Sequence, residues 1–500
     1  MHGIAPVANR QDPSALDAGA AIRAADADAQ WPSAQWWRAY GDPQLDRWME
    51  LALSGSPSLA MAADRVRQAQ ALAGLAQSAQ RPHLDGTMNI TREHWPNDTY
   101  YGPGPLANST DWNDTAALSL SYHLDIWGRD KSNSERAIDH AHAAAADARA
   151  AQLEIEVNVV RAYVSLSTNF ALLDIEQQLH DEEQHIADIA RERLRVGLGT
   201  QLELTQAQAR IPETDRAIAA RRGQLALARN QLALLAGKGP GAADVLERPT
   251  LVGSNALMLP STLPAELVGH RPDVVAARWN VSASAHGIDA AKAAFYPDVD
   301  LLVSLGGMAV GGGALAFLNS AARGASAGPA VSLPIFDGGR LRSQLGDASA
   351  QYDLSVDRYN QTLVAALNEI ANAVVSIKSL DEQQRAAADA VALAQKGRVL
   401  SDDGYQRGLT DYLNVLTSQT QWLHAKLDAE QIRAEQLEAH ASLAAALGGG
   451  LESGLESGSD EHDGAKDALH DAQAGRASHT SELSNALHPI APSRTQRAGS

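Results

Sequence analysis

Leu124-Asp125-Ile126-Trp127-Gly128-Arg129 returns 211 residues later (339 − 128) as Ile335-Phe336-Asp337-Gly338-Gly339-Arg340. The sequence on either side returns in the same order. Upstream, Pro57 opens a helical, Ala-rich stretch that ends at Arg81-Pro82, and Pro272 opens a matching one that ends at Tyr296-Pro297; both run 25 residues from proline to proline (82 − 57 and 297 − 272). Downstream, Arg195-Val196-Gly197-Leu198 is echoed by Gln406-Arg407-Gly408-Leu409, again at a shift of 211 (408 − 197). Solenoid repeats run to a few tens of residues. This is instead a duplicated structural half, so both halves must do one mechanical job.

Composition narrows that job. Of 500 residues, 45% are hydrophobic but only 5% aromatic, and Ala and Leu supply most of the apolar total, which favours long helices over a bulky core. Cysteine is absent, which removes disulfides, thiol chemistry, Cys-ligated metal and lipid attachment through a cysteine. The net charge of −19 argues against nucleic acid, whose phosphates demand a basic face. The longest uncharged run, Leu301 to Ala322, is broken by five glycines, so no ordinary transmembrane helix is expected. Met1-His2-Gly3 leads into polar, Ala-rich sequence, and no secretory signal is visible.

Residues 1–35 read as an extended lead-in. The first repeat is expected over 36–250, with helices at 43–80, 128–195 and 201–236 and strands at 83–95 and 114–127. The second spans 251–450, with helices at 272–294, 339–405 and 411–447 and strands at 298–311 and 325–336. Residues 451–500 read as a disordered tail rich in Gly, Ser, Asp and His. The proline-free segments of sixty-odd residues reach about 100 Å as helices. Leu153, Val157, Val160 and Val164, like Leu363, Leu367, Ile370, Val374 and Ile377, step by three and four in a coiled-coil seam. Pro212 should kink or break the first return helix.

The strands alternate. Leu84, Gly86, Met88 and Ile90 oppose Asp85, Thr87, Asn89 and Thr91; Leu118, Leu120 and Tyr122 oppose Ser119, Ser121 and His123; Val299, Leu301, Val303 and Leu305 oppose Asp298, Asp300 and Ser304. One reading is a soluble α+β protein whose hairpins pack on helices. The other is a set of membrane strands with a lipid face and a wet lumen, at about ten residues per strand. An open sheet cannot sit in lipid with unpaired edges, and four strands are too few to close. Three chains would give twelve, and the paired hairpins make natural staves.

The chain resembles the TolC-like outer-membrane efflux proteins, in particular the outer-membrane components of tripartite drug exporters. The resemblance is carried by Trp36, Trp37, Gly41, Asp42, Pro43 and Leu45, then Pro57, Leu59, Ala62, Arg65, Val66 and Ala69. It continues in Leu263-Pro264, His270-Arg271-Pro272-Asp273-Val274 and Ala290-Ala291-Lys292-Ala293-Ala294-Phe295-Tyr296-Pro297. It implies a mainly α fold with a transmembrane β-barrel, built as a homotrimeric α-barrel/β-barrel channel in the outer membrane and extending into the periplasm. It also implies a periplasmic adaptor, an inner-membrane pump and outer-membrane lipid as partners. The implied function is a passive exit duct for small toxic compounds, with the exported substrate unspecified. Type I protein secretion and a non-pore periplasmic coiled-coil adaptor are the alternatives. A family gate at the periplasmic turns maps by residue type onto Glu203 and Tyr405, and the family's constriction acids fall on Asn414 and Thr417, with Asp411 displaced nearby.

Catalytic signatures do not stand out. GxGxxG, the Walker GxxxxGK and HExxH are missing, and His140/His142 and His180/His185 lack ligand spacing on a helix. No enzyme, cofactor or metal is expected.

Overall fold

The computed structural model describes residues 4–17, 31–96, 107–252 and 270–450. The tail expected at 451–500, part of the lead-in, part of the segment between the first two strands and residues 253–269 of the second repeat lie outside the described residues. The first repeat contains α1 (Pro43–Gly55), α2 (Pro57–Ser78), β1 (His83–His94), β2 (Thr110–His123), α3 (Arg129–Arg195) and α4 (Gln201–Leu235). The second contains α5 (Pro272–Ala293), β3 (Asp298–Val310), β4 (Arg323–Ser332), α6 (Arg340–Gln406) and α7 (Tyr412–Ala446). The helices come in equal pairs: 22 residues in α2 and α5, 67 in α3 and α6, 35 in α4 and α7.

Local chemistry sets the boundaries. Pro57 and Pro272 stand at the first helical position, where a missing N–H costs nothing. Gly128 and Gly339, at φ +75° and +91°, turn the chain from strand into the two long helices. The single helix expected over 43–80 is two, because Ser56 precedes proline and is held extended at ψ 120°. Gly55 is required at that corner, since a Cβ there would lie 2.6 Å from the Ala236 carbonyl oxygen. Pro212 does not break α4. It and Gln208, whose backbone carbonyl loses its partner, both lie on the exposed face, where water satisfies the freed oxygen.

The coiled-coil seams are where the spacing placed them. Leu153, Val157, Val160 and Val164 are buried, as are Leu363, Leu367, Ile370 and Val374, while Ile377 is half-buried. Each such side chain contributes about 1.5–3 kcal/mol when fully buried. By length and composition α6 is apolar enough to cross a membrane, contrary to the sequence expectation. Within that stretch Leu363, Leu367, Ile370 and Val374 pack against α5 and α7, while Val364 and Val375 are exposed.

The main core gathers where Trp36, Trp37 and Tyr40 fold onto the middle of α3. Trp36 Nε1 donates to the buried Glu156 at 3.1 Å, Tyr40 donates to the Leu437 carbonyl at 2.8 Å, and Tyr163 donates to Asp42 at 2.8 Å. The second motif is equally structural. Arg271 donates to Asp273 at 2.7 Å, to Glu369 at 2.8 Å and to the Ala446 carbonyl at 3.0 Å, tying α5, α6 and the end of α7 together.

The sheet runs β1-β2-β3-β4, antiparallel throughout. The register aligns Leu84, Leu120, Val303 and Ala327 in one row and Gly86, Leu118, Leu305 and Ala325 in the next. One face is therefore apolar across all four strands. The other carries Asp85, Thr87, Asn89, Ser119, Ser121, Asp300, Ser304 and Ser326, interrupted by Leu302, Met308 and Val310. Strand β2 starts four residues earlier than expected and ends at His123 rather than 127. The chain turns after it, with Trp127 stacked on Tyr296, ring centroids 4.6 Å apart. Strand β4 spans 323–332 rather than 325–336, stopping short of Pro334, which has no N–H for a ladder.

Candidate functional site

Two regions carry the features that bear on function: the sheet and the two helical turns. The soluble reading required helices over the sheet's apolar face. Every residue of β1 is exposed instead, and Leu84, Met88, Leu118, Leu305 and Val331 face outward uncovered. Among the described residues, the sheet's substantial contacts outside itself are with two short 3-10 turns of the β3–β4 loop, Ala316–Leu318 and Ser320–Ala322. That loop folds back over the end of the sheet away from the long helices, where Phe317 is buried above Gly307; a Cβ on Gly307 would lie 2.3 Å from the Phe317 carbonyl oxygen. Fully buried Asp114 anchors it by accepting from Leu315 N at 2.9 Å.

Strands β1 and β4 are both open edges. Their outward N–H and C=O groups pair with no other strand among the described residues, and an edge of this kind is tolerated in lipid only when another strand completes it.

At the sheet's other end, where it meets the long helices, the polar face closes with ion pairs. His123 Nδ1 lies 2.8 Å from Asp300, and Arg129 pairs with Asp298 at 2.8 Å. His123, Asp125 and Asp130 offer ligand atoms within 4.8 Å of one another and could hold a metal ion. Two of those groups are already engaged, however: Nδ1 with Asp300, and an Asp125 oxygen accepting from Lys131 N at 2.7 Å. Helix-spacing rules missed this group because it joins a strand end to a helix start. The alternation that puts His123, Asp298 and Asp300 on one face was the signal for it.

The two turns are built alike. Gly197 (φ +76°) donates to Leu194 O at 3.1 Å and Leu198 N to Arg193 O at 2.8 Å; Gly408 (φ +72°) donates to Tyr405 O at 2.9 Å and Leu409 N to Gly404 O at 2.8 Å. These are helix-ending turns that need a left-handed residue. Each presents one leucine to solvent, Leu198 at 73% and Leu409 at 79% exposure.

Of the expected gate residues, Glu203 is taken up in a capping box, accepting from Thr200 N at 3.2 Å while Thr200 Oγ1 accepts from Glu203 N at 3.2 Å. The Thr-x-x-Glu spacing announces that role. Tyr405 packs its ring on Tyr412, centroids 4.8 Å apart. No bond joins Glu203 to Tyr405 among the described residues. Asp411 caps α7 through Leu413 N; Asn414 donates to Thr410 at 2.7 Å and Thr417 to the Leu413 carbonyl at 2.9 Å. What links the two turns is Arg193, 3.9 Å from Asp411. Nearby, burial pushes the Glu182 carboxyl above its ordinary range.

The sequence profile of the outer membrane efflux proteins matches twice, over 48–238 and 263–449, one match for each repeat. The chain belongs to the outer membrane efflux protein family. It is 56% identical over 345 residues to the fusaric acid resistance protein FusA of Burkholderia cepacia, covering 69% of this chain and 65% of that one, so the match spans just under two thirds of the relative. It is 31% identical over 399 residues to the multidrug resistance outer membrane protein MdtP of Escherichia coli K12, covering 77% and 80%. The outer membrane protein VceC of Vibrio cholerae has the same fold, with a TM-score of 0.77 and 32% identity over 84% of this chain and all of that one. This family member leaves the apolar face of its sheet uncovered among the described residues.

Proposed function

We propose that three copies pool their sheets into a twelve-stranded barrel and their long helices into a periplasmic tunnel, forming the passive exit duct of a tripartite efflux system. The repeats at 36–250 and 251–450 serve as equivalent staves. The observation that carries this reading is the four-stranded sheet with an uncovered apolar face and two open edges: lipid answers the first need, and a neighbouring copy's edge strand answers the second. Because the duct is passive, an inner-membrane pump supplies the energy through a periplasmic adaptor, and the exposed leucines at the turns suit docking of that adaptor.

The cargo is small toxic compounds, with fusaric acid the first candidate because the FusA name carries it. The gate lies at the turns, where links must be breakable; exposed ion pairs of about 0.2–1 kcal/mol meet that need. Arg193 and Asp411 form the link within one chain, while Glu203, Tyr405, Asn414 and Thr417 line the same end. The test is the mass of the detergent-solubilised protein together with its conductance in a planar bilayer. Three chains and discrete channel openings are expected. A water-soluble monomer without conductance would overturn the proposal.

A further inference from the structure

The two corners where sheet meets long helix are related by the 211-residue shift, and they have opposite chemistry. In the first, His123 and Asp130 sit beside the buried Ser134 position in a lattice of ion pairs that includes Asp300 and, through Arg129, Asp298. In the second, the same positions hold Pro334, Leu341 and Leu345. The bulky Trp127 is matched by Gly338, where a side chain would meet nothing within 4 Å. The cations survive the exchange: Arg129 is matched by Arg340 and Lys131 by Arg342.

The second corner holds an open cavity of about 390 Å³ lined by the apolar side chains of Ile4, Phe295, Pro334, Ile335, Leu341 and Leu345, with Asp337, Gly339 and Arg342 completing its wall. Ile335 continues the apolar face by alternation from Val331 and Leu333, and Ile335 and Phe336 are each 92% exposed. Large apolar side chains so exposed at the end of a membrane-facing sheet mark lipid contact rather than water. Asp337, in the same wall, forms no ion pair with Arg342 among the described residues. Its carboxylate accepts from Leu341 N and Gly339 N at 2.8 and 2.9 Å, and those amides hold its pKa below the usual range. Among the described residues, Arg342 forms no ion pair.

We propose that this corner binds a phospholipid of the inner leaflet, with an acyl chain in the cavity and the phosphate on Arg342. A guanidinium matches phosphate oxygens with paired donors, and an apolar cavity opening beside exposed Ile335 is continuous with the lipid-facing sheet. The first corner instead engages its charged groups with one another, His123 with Asp300 and Arg129 with Asp298. The duplicated protein therefore carries one such site per chain, on the second repeat only. The site rests on the membrane placement of the sheet argued above.

Native mass spectrometry of the detergent-purified full chain tests it, with phosphatidylglycerol, diacylglycerol and inorganic phosphate as separate probes. The expected result is up to one phosphatidylglycerol per chain, weaker diacylglycerol retention and no phosphate adduct. Arg342 is exposed, so Arg342→Gln leaves the fold intact. It should lower phosphatidylglycerol occupancy about tenfold, the loss expected for one charged hydrogen-bonding partner, while diacylglycerol retention stays unchanged. Absence of the phosphatidylglycerol adduct from the parent, or equal occupancy in Arg342→Gln, overturns the site. Bilayer conductance recorded on the same samples separates the two ideas. A conducting protein without bound lipid removes the site and leaves the duct, and a protein that neither conducts nor retains lipid removes both.

Discussion

The first and second helical hairpins have the same lengths but not the same bracing. In the distal part of α3, Leu172, Ile175, Glu176, Leu179, Glu183 and Ala187 are all buried, whereas α6 buries nothing beyond Leu380. The α3/α4 seam also holds ion pairs, Arg221 with Glu176 at 2.9 Å and Arg210 with Glu183 at 3.4 Å. Opposite them, α6 leaves Leu393, Val399 and Leu400 exposed. Duplication thus kept length while dividing labour: distal α3 is buried, with Ile175 and Leu179 packed on Leu423 of α7, while distal α6 leaves its apolar side chains exposed. The part of α6 beyond Leu380, which buries nothing, is the segment from which opening should start.

The largest effect expected from this contrast follows removal of a cation from the braced seam. Arg221→Ala leaves Glu176 nearly buried and unpaired, which should cost about 3 kcal/mol, read as a drop in the thermal unfolding midpoint in detergent. The position 211 residues on is Ile432, and Ile432→Ala should cost well under half as much. Equal costs would erase the distinction between the hairpins.

A second contrast concerns Arg271, which ties the second repeat alone. Arg271→Leu removes charged hydrogen bonds to Asp273 and Glu369. Because both partners are partly exposed, the expected loss is about 2 kcal/mol. A midpoint unchanged from the parent protein would show that the motif does not brace this repeat.

Much of this was legible beforehand because it is periodic. The shift of 211 located Gly128 and Gly339 as the hinges between strand and helix, and alternation assigned the sheet faces. What stayed hidden was set by contacts between distant segments. Pro212 could be judged harmless only once its side of α4 was known to face water. The engagement of Glu203 with Thr200 was written in the local spacing, but family resemblance assigned the residue to Tyr405 instead. Arg193 and Asp411 lie 218 residues apart (411 − 193), and only the docking of α3 beside α7 brings them together. The opposed corners at His123 and Pro334 were visible as differences between the repeats, yet their meaning needed the cavity.

A smaller effect is expected with pH. Burial lowers the pKa of His440 in α7 below its ordinary 6.5, partly offset by Asp381. The unfolded chain then binds the proton more readily than the folded one, so this residue's contribution is present above pH 6.5 and lost as pH falls below it. The unfolding midpoint should decline from about pH 7.5 to 5.5, and His440→Gln should flatten that decline. An identical slope in the variant would exclude His440 as its source.

The smallest energetic effect is at the turns. Arg193→Gln removes an exposed link of at most about 1 kcal/mol, so stability should barely change while single-channel conductance rises. Glu203→Gln with Tyr405→Phe should raise it less, since those residues are not joined to each other within the chain. Equal rises would place the gate on both sets, and no rise from Arg193→Gln would remove that ion pair from it.

The pooled sheet can be tested at its edges because the chain has no cysteine of its own. Cysteines introduced in pairs, one at Asp85, Thr87 or Asn89 of β1 and one at Ser326, Gly328 or Ala330 of β4, sample the possible registers between neighbouring copies. A disulfide forms only when the paired Cα atoms come within about 4.4–6.8 Å. In outer-membrane preparations under oxidising conditions, at least one pair should give a covalent ladder that stops at three chains and collapses to one on reduction. Failure of every register to cross-link, in membranes where the protein is folded, would contradict the shared barrel.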